Sequence, residues 1–237
     1  SQPSATPSSS PIVNTPSLSM QINELWLTLE HWLSQNLPEV LADLNPGCSS
    51  QDLDELAHQL GCSLPEDFRA FYQRHNGQKG NTTGIFCGLP CLSIEALYSE
   101  WSGWQELAIE FAREAEVYGE ESLALEITGQ SYPMHAVKPI YINLKWIPIA
   151  HDGGGNHLGV DFDPGSSGTI GQVINFGRDE RDKFVLATSL ANWMIWMVNQ
   201  YEQGNYQRSQ RSLALQEPAN SHFLDVVPQL FGARGTP

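Results

Sequence analysis

Between Lys145 and Trp196, three short apolar runs are split by glycine-rich turns and followed by an apolar helix, a pattern few folds can accommodate. The first run, residues 146–150, stops at His151-Asp152-Gly153-Gly154-Gly155-Asn156, where three glycines allow positive φ at little steric cost. The second alternates: Leu158, Val160 and Phe162 fall on one side, His157, Gly159, Asp161 and Asp163 on the other, the period of a half-buried strand. Asp163-Pro164-Gly165 begins the next reversal, and a third run from Thr169 ends at Gly177. An antiparallel meander is expected, with one apolar face and one polar, solvent-facing one.

Helical periods surround this meander. Ile22, Leu25, Trp26, Leu29 and Leu33 share one stripe, and residues 20–47 read as a helical cap. Leu53, Leu56, Ala57 and Leu60 mark a second helix, and Phe68, Phe71 and Tyr72 a third with Pro65 at its start. Thr82 to Phe86 reads as a strand. Ser93 caps a long helix to about Tyr118, residues 116–138 show no period and read as an acidic loop, and 140–142 read as the start of the sheet. Trp193 to Val198 lies in a helix apolar nearly all round, as suits burial between layers or at an interface.

Trp146-x-Pro148-Ile149, Gly155-Asn156-His157-Leu158-Gly159-Val160-Asp161, Gly171-Gln172-Val173-Ile174-x-Phe176-Gly177-Arg178-Asp179 and Lys183-Phe184-Val185 occur in an order that resembles the SMI/KNR-type cell-wall assembly regulators of the SUKH superfamily. Leu64-Pro65-Glu66-Asp67-Phe68 with Tyr72-x-x-x-Asn76-Gly77 adds a shorter match. The resemblance spans roughly residues 50–200 and implies an α+β interaction module, a regulator of glucan synthesis in fungi and often a toxin-neutralising immunity protein in bacteria.

The chain has 237 residues and a formal net charge of −15. Its twelve basic residues are scattered, which argues against nucleic acid as partner, since phosphate binding needs clustered Lys and Arg. An acidic field steers basic partners instead. Cys48, Cys62, Cys87 and Cys91 form no CxxC pair and are expected to be free thiols rather than disulfides or a zinc site. No apolar run reaches the ~20 residues of a membrane span, no secretory signal is visible at the first residues, and a cytoplasmic location is expected.

His151, Asp152, His157, Asp161 and Asp163 form the one cluster with metal or acid–base character. Asp161 and Asp163, two positions apart on a strand, lie ~7 Å apart at Cα, a workable span for a shared cation. Asp163 before Pro164-Gly165 also suits a turn, and Asp161 suits a bond to neighbouring backbone, the reading preferred here.

The expected protein is therefore an α+β domain of residues 20–205, an antiparallel meander packed on several helices. A disordered Ser/Pro-rich tail of residues 1–19 precedes it, and a mostly flexible extension of 206–237 follows. Its expected role is a non-enzymatic regulatory module without cofactor or metal that binds a protein with a basic surface. Trp146, His157, Asp161, Asp163, Asp179 and Glu180 are its candidate contact residues. The alternatives are an immunity protein that blocks a basic toxin such as a nuclease, and a metal-dependent enzyme using the cluster from His151 to Asp163.

Overall fold

A computed structural model describes residues 1–4, 6, 16–209 and 212–232. The chain is an α+β fold. In order it forms α1 (Leu18–Asn36), α2 (Pro38–Asp43), α3 (Ser50–Leu60), α4 (Glu66–Arg74), α5 (Ile94–Tyr118), a 3₁₀ turn (Leu123–Leu125), β1 (Ser131–Tyr132), β2 (Trp146–His151), β3 (Asn156–Asp161), β4 (Gln172–Gly177), β5 (Lys183–Ala187), α6 (Leu190–Glu202), the hairpin β6 (Gln207–Ser209) and β7 (Ser212–Ala214), and α7 (Phe223–Phe231). The main sheet has the order β1-β5-β4-β3-β2, in which β2 to β5 are an antiparallel meander and β1 adds to β5 in parallel.

The meander matches the sequence pattern, but its polar face does not meet solvent. Every residue of β3 and β4 is buried, and so is all of β2 except His151. Leu158, Val160 and Val173 face the large core built with α1, α4 and α6. On the opposite side Trp146, Ile174 and Phe176 pack under Ala136, Val137 and Trp104 of α5. The expectation of a solvent-facing polar side is thereby corrected. Alternation reports which residues share a side, not what covers it, and here α5 and the 133–140 segment form a third layer. At Gly159 a Cβ would stand 2.4 Å from Cε1 of Phe176, so the glycine lets that ring lie flat across the strand.

The N-terminal helices are built into the core. Trp26 is fully buried, packs its ring on Phe71 at 5.0 Å in a tilted geometry and donates its indole N–H to the Phe71 carbonyl. α3 carries a capping box in which Ser49 and Asp52 satisfy each other's backbone, and it ends at Gly61 in the left-handed conformation. Apolar α6 wedges between α1 and the sheet, with Trp193, Met194 and Met197 fully buried. Asp67 of α4 accepts from the Ala191 N–H and ties α6 in place. All four cysteines are free.

Other expectations also differ from the structure, including β1, which lies within the expected loop of 116–138. Residues 82–86 form no strand; Gly84 and Gly88 pair across a tight turn, and the chain at Cys91 and Leu92 instead runs along the outer edge of β2, where it covers the exposed ladder. Residues 140–142 contribute an isolated bridge, Ile127 with Ile140, rather than a sheet strand. The described part of the extension after residue 205 is packed on the core, where a mostly flexible segment is expected from the sequence; residues 210–211 and 233–237 lie outside the described residues. Leu213, Leu215, Phe223 and Val227 are buried in the main core, and Phe231 packs its ring on Trp196 at 5.1 Å. Of the expected tail, residues 5 and 7–15 lie outside the described residues, while Ser17 caps α1 and Ser19 bonds Glu66.

Because Phe223 is 1% exposed, Phe223→Ala is expected to lower the unfolding free energy by about 3 kcal/mol, the usual cost of an emptied aromatic site. Denaturant unfolding measures it; a change below about 0.5 kcal/mol would place α7 off the core.

Candidate functional site

The polar residues of the meander spend their hydrogen bonds inside the fold. Asp161 is fully buried, and its carboxylate accepts from the Asp163 N–H at 2.9 Å and from Gln172 Nε2 at 2.9 Å. Gln172 also donates to the Ala136 carbonyl, so this trio fastens the 133–140 segment over the sheet. Burial pushes the Asp161 carboxyl up to about 6. Asp163 is the turn residue expected from its position: Lys138 bonds one oxygen at 2.6 Å, Asn143 the other at 3.0 Å, and the ammonium holds it below the ordinary carboxylate range.

His157 is 1% exposed. Its Nδ1 faces the Ala150 carbonyl at 3.2 Å and its Nε2 accepts from the Trp104 indole at 3.0 Å, which makes it a neutral Nδ1–H tautomer. Burial pulls it down to about 4. Trp146 is also 1% exposed, and the Lys183 ammonium lies 5.5 Å over its ring. That lysine is buried and donates to the Glu180 carbonyl, and desolvation brings it down to about 8.

Of the six candidate contact residues, then, Trp146 and Asp161 are interior, and His157, 1% exposed, lies in the floor of a depression beside Trp104. Three reach the surface. Asp163 is partly exposed and Asp179 exposed. Glu180 is half-buried, its carboxyl raised by burial to about 7. The two hairpin turns are joined at Asn156, whose amide donates to both Asp152 and Asp179 while its oxygen accepts from the Asp179 N–H. Asp152 also receives His222 Nε2 at 3.2 Å, so the start of α7 is fixed to the same corner. The cluster with metal or acid–base character is thus split between the two ends of β3, and among the described residues no three His, Cys, Asp or Glu side chains are placed to share a metal ion.

Among the openings to solvent is a groove of about 400 Å³ between α5 and the 177–181 turn, with Phe111, Leu123, Ile127 and Tyr141 as its apolar lining and Glu126, Arg178 and Arg181 among its charges. A second depression of about 440 Å³ shares Phe111, Tyr141 and Arg178 with it and continues past Leu107 to Trp104. The aperiodic, glutamate-rich stretch 116–138 signals this region in the sequence only as a loop; that its apolar residues lie beside Phe111 and Tyr141 is a tertiary fact.

Comparison with known proteins finds similarity to proteins named as regulators of the cell wall. A model of the SMI1/KNR4 family (SUKH-1) matches residues 47–196. The chain is similar to the cell wall biosynthesis/cell cycle regulator smi1 of Schizosaccharomyces pombe, 35% identical over 192 residues that cover 80% of this chain and 38% of the relative. It is 32% identical over 204 residues to the glucan synthesis regulatory protein of Neurospora crassa, covering 76% and 38%. It is 28% identical over 204 residues to the cell wall assembly regulator SMI1 of Saccharomyces cerevisiae, covering 76% and 40%. The chain spans about two fifths of the length of these relatives.

The buried imidazole makes a pH prediction. The folded value for His157 lies below that of the unfolded chain, so the unfolded state takes up a proton first and stability falls as pH drops from about 6.5 toward 4. Asp161 and Glu180, both raised in the fold by burial, act oppositely and favour the fold as pH falls below about 6 and about 7. Between pH 7 and pH 5 the histidine accounts for about 2 kcal/mol of loss. On going from pH 7 to pH 5, the unfolding free energy of His157→Gln should therefore change about 2 kcal/mol more favourably than that of the unmutated chain; the same pH dependence in both would mean that the ring protonates in place.

Proposed function

The chain belongs to the SMI1/KNR4 family (SUKH-1), and from that membership we propose that it is a regulatory, non-catalytic module of cell-wall glucan assembly that works by binding another protein. One observation carries the reading beyond the names of the relatives. The side chains that offer chemistry in the sequence, His157, Asp161 and Asp163, are each engaged by internal partners that hold the sheet and its turns, while the open surface at the 177–181 turn is an apolar groove with a charged rim. Such a surface suits recognition by complementarity, with an apolar centre and polar edge. Asp179 and Glu180 lie on that rim and, with the net charge of −15, favour a partner whose facing surface is basic.

The test is a replacement in cells. A chimera of the Saccharomyces cerevisiae relative, with this chain in place of the segment it matches, is expressed where that relative is deleted. Wall glucan is expected to return toward the level of cells with the intact relative. A chimera present in soluble form that leaves glucan at the deletion level would remove the reading.

A further inference from the structure

α5 lays its first half on the sheet and then runs on past it. From there the chain exposes large apolar side chains in close succession: Val117 is 78% exposed, Tyr118 75%, Leu123 49% and Ile127 79%. Folded surfaces scatter such residues singly, and grouping them marks a contact site. The grouping is spatial as well as sequential, because the 3₁₀ turn packs on α5 and Leu123 and Ile127 meet Phe111 and Tyr141 in one groove.

The charges on and beside the groove favour one sign: Glu126, Asp179 and Glu180 line it against Arg178 and Arg181, and the helix that flanks it is richer still in acid. Residues 106–126 hold seven glutamates against one arginine, Arg113, and all seven glutamates are exposed. The facing turn sets Arg178 and Arg181 against Asp179, Glu180 and Asp182, so it does not reverse the balance. Glu106, Glu110 and Glu114 stand at i, i+4 and i+8 on α5 and repel one another, a strain that cations laid along the helix relieve.

We propose that this face is the docking surface for an amphipathic, basic segment of a partner protein. Its apolar side chains sit on Phe111, Leu123 and Ile127, and its lysines or arginines lie against the α5 glutamates. The assignment rests on the reading of the chain as a protein-binding regulator and adds the partner's chemistry and position. Helix-in-groove recognition supplies the affinity through a few apolar anchors, and opposite charge speeds encounter and rejects acidic competitors.

The probe is a fluorophore-labelled peptide of about 14 residues, Lys and Leu arranged to be amphipathic as a helix, with its Glu-for-Lys counterpart as comparison. Anisotropy titrations on the full chain are expected to show the Lys/Leu peptide binding. Leu123→Asp with Ile127→Asp should weaken it about tenfold, and Glu114→Lys with Glu126→Lys by as much. Glu24→Lys with Glu55→Lys makes the same change in net charge on α1 and α3 and should weaken it less than about twofold. These positions are exposed, and melting curves confirm that each variant is folded. Equal weakening by the α1/α3 pair, or indifference to the aspartates at 123 and 127, would reduce the binding to bulk charge and overturn the assignment. Preference for the Glu/Leu peptide, lost in Arg178→Glu with Arg181→Glu, would overturn it in favour of an acidic partner. In cells, a chimera carrying Leu123→Asp with Ile127→Asp should fail to restore wall glucan. Full restoration by that variant would overturn the docking surface and leave the regulator reading intact, whereas failure of the unmutated chimera would remove that reading itself.

Discussion

Burial of the central strands on both sides is the constraint from which the rest follows. A strand covered on one side can leave polar side chains in water, but β3 and β4 cannot, and each polar group on them needs an internal partner. Asp161 with Gln172, His157 with Trp104, and Asn175 between the Asp182 carbonyl and the Phe184 N–H meet that demand. These bonds do more than offset desolvation. Each runs from a strand to a neighbouring segment, so the sheet's polar groups also decide where the covering layer and the hairpin turns lie. Their pKa shifts, upward for Asp161 and downward for His157, are the mark of that burial.

The other side of the sheet is held by elements from both ends of the chain. α1 and α7 lie outside residues 47–196, where the family model matches, yet each contributes fully buried aromatic or aliphatic groups to one core. Trp32 of α1 stacks on Tyr201 of α6 at 4.7 Å, and Phe223 of α7 packs on Trp193 at 5.8 Å. The Tyr201 hydroxyl in turn donates to the Ile85 carbonyl and accepts from the Cys87 N–H, which pins the irregular 78–91 loop without a strand. The family-matching segment is thus completed by its flanks, and its stability is shared with them.

Function then falls to what the framework leaves uncovered. With the sheet enclosed, the accessible features include the turn at 177–182, the overhanging half of α5 and the 3₁₀ turn beside it. Rigid elements underlie this surface. Asn156 locks the two hairpin turns together, and the Trp104 indole anchors α5 to β3. A groove supported in this way presents its apolar and charged groups with little ordering left to do on binding.

Local patterns in the chain were enough to define the elements and the class. The period of two through Leu158, Val160 and Phe162, the glycine-rich turns, the stripe from Ile22 to Leu33 and the capping serines at 93 and 189 specify strands, turns and helices because those signals act over a few residues. The order of motifs from Trp146 to Val185 likewise pointed to the family. What no local signal contains is which surface another segment covers. His157, Asp161 and Trp146 look like solvent-facing or functional residues by alternation, yet α5 and residues 133–140, distant in sequence, lie over them. The same reason hid the groove and the C-terminal anchor. Leu123 and Ile127 acquire meaning only beside Phe111 and Tyr141, and Phe223 only against Trp193, because burial and surface are set by contacts between segments far apart in the chain.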